Sequence, residues 1–240
     1  MREGAALTVV TWNAQGSQGM DIAAVATALL EFDPQLVLLQ EVQRRQLGAL
    51  RLAMRATDAR WRFKHWPVKV PAEGLGVLSM LRLQEVRSHA LAHRLQVWNW
   101  RRRIAVQFAV EVGARRVRGV NVHLGAGVAP SERIRQARLV RELAGDATLI
   151  AGDFNAEPDR AELGVFTERG WRDAERCAHP DLVRPSTNWH RGPRVEPPTQ
   201  RLDYLLVRSG VEVVEGFVPA DWERWAELSD HVPVMARLRV

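Results

Sequence analysis

The chain has a single cysteine, Cys177, so it can form no intramolecular disulfide and no cysteine-rich zinc site. No thiol-based site is suggested around it, which makes Cys177 a poor candidate nucleophile. Lysine is nearly missing too. Lys64 and Lys69 are the only two, and 32 of the 34 basic residues are therefore arginine. No apolar run approaches the roughly 18 residues that a membrane-spanning helix needs. The short apolar stretch before Trp12 is too brief for a signal-peptide core. A soluble, cytoplasmic protein with no stable membrane insertion is the expectation.

What is present bounds the rest. With 240 residues, 46% of them hydrophobic, the chain can build one large core, and a single domain over residues 1–240 is expected. The formal charge is +6 and the pI is near 10.7, which favours acidic partners such as nucleic acid or anionic headgroups. Arginine suits phosphate because its planar fork makes two parallel hydrogen bonds. A GC-rich genome accounts equally well for the arginine-to-lysine ratio, but not for the excess of positive charge. No protein partner is indicated, and a monomer is expected.

Periodicity supplies the elements. A β-rich stretch over residues 7–12 ends at Asn13, and Asp21 can cap a helix with Ile22, Val25, Ala26, Leu29 and Leu30 at helical spacing. Asp33-Pro34 stops that helix. Residues 36–39 form a continuous apolar run that delivers Gln40-Glu41 at its end, and a helix follows over 44–56. Strands are expected at 62–66, 76–81, 95–100, 104–112 and 117–124, the last two joined as a hairpin across Gly113-Ala114. Pro130 opens a helix, residues 148–151 form a short buried strand, and a helix lies near 160–168. Strands at 202–207, 211–217 and 232–238 close the chain. Trp222 and Trp225 fit a short helix. This order predicts an α/β fold with two packed sheets and helices outside.

Polar groups recur where apolar runs end: Asn13, Glu41, His123, Asp153 with Asn155, Asp203, and Asp230-His231. Each alone has a plain reading as a solvated residue, a cap or a turn former. Together they mark strand ends, where α/β proteins carry their chemistry. Glu41 and Asp230 are the oxygen ligands that Mg²⁺ or Mn²⁺ takes. Asp153 suits a base for water, and Asn155 a group that holds that water or a phosphate oxygen. His231 can donate to a phosphoryl oxygen with Asp203 fixing its tautomer, and His123 is a second donor. Metal, positioned water and cationic donors are what in-line attack at phosphorus needs.

Trp12-Asn13, Gln40-Glu41, Asn121-Val122-His123-Leu124, Gly152-Asp153-Phe154-Asn155, Arg201-Leu202-Asp203-Tyr204 and Ser229-Asp230-His231 resemble the ordered motifs of the endonuclease/exonuclease/phosphatase superfamily. The resemblance spans residues 7–240 and implies a four-layer sandwich with the site at one edge of two mixed β-sheets. It implies that Glu41 binds Mg²⁺ or Mn²⁺ helped by Asn13, and that Asp230 supports the metal or the water. Asp153 would activate water beside Asn155, and His231 with Asp203, and His123, would face the phosphate. Gln15 stands where abasic-site endonucleases typically carry an aspartate, and His123 lies in a stretch unlike their Tyr-x-Pro-Asn. The histidine resembles instead the deoxyribonuclease-like, deadenylase-like and sphingomyelinase-like branches, and the lack of an extended apolar hairpin weakens the last.

Two clusters mix rings and cations: residues 61–66, and Trp98-Asn99-Trp100 followed by Arg101, Arg102 and Arg103. Such clusters suit single-stranded or distorted nucleic acid. Either also reads as a strand with alternate residues buried. Arg101, Arg102 and Arg103 are taken as substrate-binding, as is Trp189 in the long loop before Asp203, for which plain packing is an equal alternative. The expected activity is Mg²⁺- or Mn²⁺-dependent phosphodiester hydrolysis on DNA or RNA, with low sequence specificity. The alternatives are a phospholipid, sphingomyelin-type or small-molecule phosphohydrolase, and an inactive binding module of the same fold.

Overall fold

The computed structural model describes residues 4–63, 72–91, 103–181, 185–189 and 194–240. In chain order the elements are β1 (Ala6–Asn13), α1 (Ile22–Leu30), β2 (Leu36–Gln43), α2 (Arg44–Ala53), β3 (Asp58–Phe63), β4 (Glu73–Ser79), β5 (Gln84–Ala90), β6 (Ile104–Val112) and β7 (Arg115–His123). Then come α3 (Pro130–Ala144), β8 (Leu149–Asp153), α4 (Ala161–Thr167), β9 (Trp171–Asp173), α5 (Ala174–Ala178), β10 (Asp203–Arg208), β11 (Glu212–Phe217), α6 (Trp222–Leu228) and β12 (Val234–Arg239).

Strand alternation builds the layers. Leu7, Val9, Leu36 and Leu38 meet Val106, Phe108, Leu149 and Leu205 between two sheets. The intervening Val10, Trp12, Val37 and Leu39 face outward onto Val25, Leu29, Leu47, Leu50 and Trp225 of α1, α2 and α6. On the far side Val120, Val122 and Ile150 pack under Ala137, Val140, Leu163 and Phe166 of α3 and α4. The result is the expected α/β four-layer sandwich, with sheet orders β11-β12-β1-β2-β4-β3 and β5-β6-β7-β8-β10-β9.

Each sheet carries one parallel pair made by a strand–helix–strand unit: β1–α1–β2 and β7–α3–β8. Parallel neighbours end at the same edge, so Asn13 and Glu41 emerge beside each other, as do His123 and Asp153. The Asp21 carboxylate caps α1 by accepting from Ala23 N and Ala24 N, both at 3.0 Å. Just below the edge, buried Gln40 donates to Asn121 Oδ1 at 2.8 Å across the sheets. Asn121 Nδ2 donates to the Leu39 and Gly76 carbonyls at 3.1 and 2.9 Å. These bonds fix how one sheet sits on the other.

Several boundaries differ from the sequence expectation. The strand expected at 62–66 begins earlier, at Asp58, and β2 continues to Gln43. The strand expected at 95–100 lies outside the described residues. Strands β5 and β9 and helix α5 were not foreseen: β5 is a half-exposed edge strand of mixed polarity, and β9 and α5 have three and five residues.

Candidate active site

The first sheet supplies three strand ends. Asn13 closes β1. Glu41 sits where the β2–β4 register slips between Leu39 and Val42, with φ 55°. That bulge re-aims its side chain, and a non-glycine residue at positive φ is the kind of strain that functional sites hold. Before β12, Ser229 donates from Oγ to the Asn13 carbonyl at 2.6 Å and accepts from His231 N at 3.2 Å. Trp12 Nε1 donates to the His231 carbonyl at 2.8 Å. The Asp230-His231 turn is thus tied to the end of β1.

The second sheet supplies the other half. Asp153 is the register partner of both His123 and Asp203. Gly152 has φ 145°, and a Cβ there would stand 2.0 Å from the Val122 carbonyl oxygen, so only glycine fits this close approach of β7 and β8. Asp153 Oδ1 accepts from Asn155 N at 2.8 Å and Oδ2 from Asn13 Nδ2 at 3.1 Å. Asn155 holds φ 49° and donates from Nδ2 to the Leu124 carbonyl at 3.1 Å.

The two halves converge on one cavity of about 730 Å³, lined among others by Asn13, Glu41, His123, Asp153, Asn155, Asp230 and His231. Asp203 stands behind it, fully buried, with Oδ2 2.7 Å from His231 Nδ1. His231 Nε2 lies 2.8 Å from Asn188 Nδ2. His123 spans the seam, with Nε2 3.3 Å from Asp153 Oδ2 and Nδ1 3.9 Å from Glu41 Oε1.

Burial fixes the protonation chemistry. It raises Asp153 to about 6, with the Asp203 charge adding to the rise while His231, the Asn155 N–H and Asn13 oppose it. Burial works against a charged His231 ring, but Asp203 overcomes it by charge and hydrogen bond, aided by Asp153 and Asp230, and the ring is pushed up to about 10. Burial also raises Asp230; Glu41 adds to the rise, and His231 and Arg194 oppose it. The cavity therefore presents an imidazolium, a buried carboxyl that titrates near neutrality, and a further pair of acids that repel each other.

The four substrate-binding expectations fare differently. Trp189 is buried, packs against Trp222, donates from Nε1 to the Glu196 carbonyl at 2.6 Å, and does not line the cavity. Its neighbour Asn188 does. Arg103 is 1% exposed at the start of β6 and also does not line the cavity, so it offers no open phosphate contact. Arg101 and Arg102 lie outside the described residues. Sequence reasoning left Glu73, Arg133 and Arg160, all on the cavity wall, unassigned. It noted Gln15 only as a departure from a motif, yet Gln15 Nε2 donates to Asp230 Oδ2 at 2.9 Å. No periodicity singles out such residues, because their partners are far away in sequence.

A family model described as the endonuclease/exonuclease/phosphatase family matches residues 10–231. The chain belongs to this family. Its members are phosphoric ester hydrolases, a superfamily of metal-dependent phosphodiesterases and phosphatases. An endonuclease/exonuclease/phosphatase from Beutenbergia cavernae is similar at 20% identity and TM-score 0.80, over 98% of this chain and 72% of that one. The mannosyl-6-phosphatase of Bacteroides thetaiotaomicron is similar at 17% identity and TM-score 0.75, over 97% and 99%. D. rerio TDP2, in complex with a single-strand DNA product, is similar at 17% identity and TM-score 0.74, over 98% and 99%. At these identities the likeness establishes the fold. No curated protein matches the chain by sequence.

The family implies a divalent metal, and the donor set fits one. Glu41, Asp230 and the Asn13 amide oxygen are hard oxygen donors on one cavity wall, and the mutual repulsion of the two acids is what a cation relieves. Asp153, Asp203 and His231 also offer ligand atoms within 4.8 Å of one another. There, however, His231 Nδ1 is committed to Asp203 and the ring is cationic, which makes it a poor metal ligand. The oxygen wall is the better seat.

Proposed function

We propose that this protein is a Mg²⁺- or Mn²⁺-dependent phosphodiesterase that cuts DNA or RNA internally with little sequence preference. The observation that carries the reading is the joining, in one cavity, of an oxygen-rich metal wall with a His231–Asp203 cation and a buried Asp153. A metal bound at Glu41, Asp230 and Asn13 would supply Lewis-acid charge to a phosphoryl oxygen. The chain's own groups do the rest. Asp153, oriented by Asn13 Nδ2 and Asn155 N, accepts the proton of the attacking water, and its raised pKa matches it to near-neutral operation. His231 donates Nε2–H to a phosphoryl oxygen that displaces the Asn188 amide from beside it, and Asp203 holds the ring in place and balances its charge. The +6 charge, carried almost wholly by arginine, favours a polyanionic substrate over a neutral one.

Metal-dependent nicking of supercoiled plasmid, lost in Asp153→Ala, is the test. A second reading, a small phosphorylated molecule as substrate, is favoured by the cavity volume, which suits a compact ligand. Phosphate release from such molecules without nicking would select it. Nucleic-acid binding with no turnover under any divalent metal would point to a silent binding module.

A further inference from the structure

Gln15 and Arg194 stand outside the roles above, yet they form a chain of polar contacts that ends on the metal wall. Gln15 follows β1 with φ 43°, a backbone state that costs a residue with a side chain. Its N–H donates to Asn13 Oδ1 at 3.2 Å and its side-chain Nε2 to Asp230 Oδ2 at 2.9 Å. One residue thus touches two members of the oxygen set at once. Its remaining acceptor, Oε1, takes a hydrogen bond from Arg194 NH2 at 2.8 Å. Arg194 comes from the long segment between α5 and β10 and anchors itself by donating from NH1 to the Ala226 carbonyl of α6 at 2.9 Å.

Every polar atom of the Gln15 side chain is therefore spent on orientation. Its donor faces a carboxylate and its acceptor faces a guanidinium, so the amide can stand only one way round. Asp230 in turn has Oδ2 engaged by Gln15, while Oδ1 faces Ser229 Oγ at a loose 3.5 Å. Oδ1 is therefore the less committed oxygen of Asp230 and the one that would be freer to meet a cation. Residues that orient metal ligands in this way tune metal affinity without touching the ion.

We propose that Arg194 and Gln15 act as a positioning relay for Asp230, setting which carboxylate oxygen meets the divalent cation. The proposal rests on the metal wall proposed above and adds two residues to it. Arg194 reaches Asp230 by hydrogen bond only through Gln15, beside a direct effect of its charge, so in positioning the carboxylate the two should behave as one unit. This is a stronger statement than general stabilisation by either residue.

The test is Mn²⁺ binding by the whole protein without substrate, read from the loss of free-Mn²⁺ EPR signal. Gln15→Ala and Arg194→Ala should each weaken Mn²⁺ binding by about tenfold or more. The double variant should be no weaker than about twofold below Gln15→Ala, because removing Gln15 already disconnects Arg194. Gln15→Asn, whose shorter amide does not reach both partners, should resemble Gln15→Ala. Thermal melts in EDTA confirm that each variant is folded; for any that is not, Arg194→Met and Gln15→Met supply the same comparison. Single-variant affinities within twofold of wild type, or fully multiplicative losses in the double variant, overturn the relay. Failure of the wild type to bind Mn²⁺ overturns the metal wall itself, and the relay with it, which distinguishes the two failures.

Discussion

Replacing Asp203 with asparagine tests the site at its electrostatic pivot. The carboxylate is fully buried, and its Oδ2 lies 2.7 Å from His231 Nδ1. Asparagine keeps the volume and one acceptor but removes the charge. Burial alone disfavours the imidazolium, and Asp203 is the largest influence that overcomes it. The ring, held at about 10 in the wild type, should fall to or below its ordinary 6.5. At about 1.4 kcal/mol per unit, a drop of roughly 3.5 units removes on the order of 5 kcal/mol of preference for the charged donor. Losing one preorganised donor to developing charge costs about 10²–10³ in kcat. A fall of that size at pH 8 is expected, with Mn²⁺ affinity changed less than threefold. Stability gives an independent reading. A histidine whose folded pKa lies above its unfolded value stabilises fully below about pH 6.5 and loses that contribution as pH rises through about 10. Wild-type Tm should therefore drop between pH 8 and pH 10, and the variant's should drop less. Hydrolysis of a fluorogenic oligonucleotide at saturating Mg²⁺, with melts at pH 6, 8 and 10, measures both. A kcat within threefold of wild type, in a variant that melts within a few degrees, would refute the reasoning.

Asp153→Asn should lower kcat by at least about 10³ while the protein still binds Mn²⁺, because the acceptor of the water proton is gone but the oxygen wall is not; isothermal titration alongside kinetics checks this. Glu41→Ala should raise the Mg²⁺ concentration for half-maximal activity by at least about tenfold, and an unchanged metal titration would remove Glu41 from the ligand set. Chelation with EDTA should abolish turnover, and added Mg²⁺ or Mn²⁺ should restore it. Gly152→Ala should cost more than about 3 kcal/mol in urea denaturation, since its methyl group meets the Val122 carbonyl oxygen head-on.

The two strand–helix–strand units were legible because their apolar runs are long and end in polar residues, as in Leu36–Leu39 before Glu41. The hairpin of β6 and β7 was legible from Gly113, which takes φ 59° between two alternating runs. Edge strand β5 was not: its burial is partial and its residues are mixed. Asn13, Glu41, His123, Asp153, Asn155, Asp230 and His231 line one cavity, and the sequence singles them out because each lies close to an end of an apolar run. Trp189 reads in the sequence equally as a ring bordering the cleft or as plain packing, and its indole is buried beside Trp222. Asn188, one residue earlier, faces the cavity instead. The pairing of Gln15 with Arg194 was not legible, because it joins residues 179 apart in the chain.

The polar groups of the cleft divide by sheet: the oxygen wall belongs wholly to one layer, and Asp153, Asn155 and Asp203 to the other. For the metal seat proposed above, the gap between ion and nucleophile would be a thickness, held by the core residues Leu38, Val106 and Phe108 and by the Gln40–Asn121 clasp. Thinning that filling, for instance with Phe108→Leu, should detune turnover while ion loading persists. The greasy spacer is in this sense a gauge block for the chemistry above it.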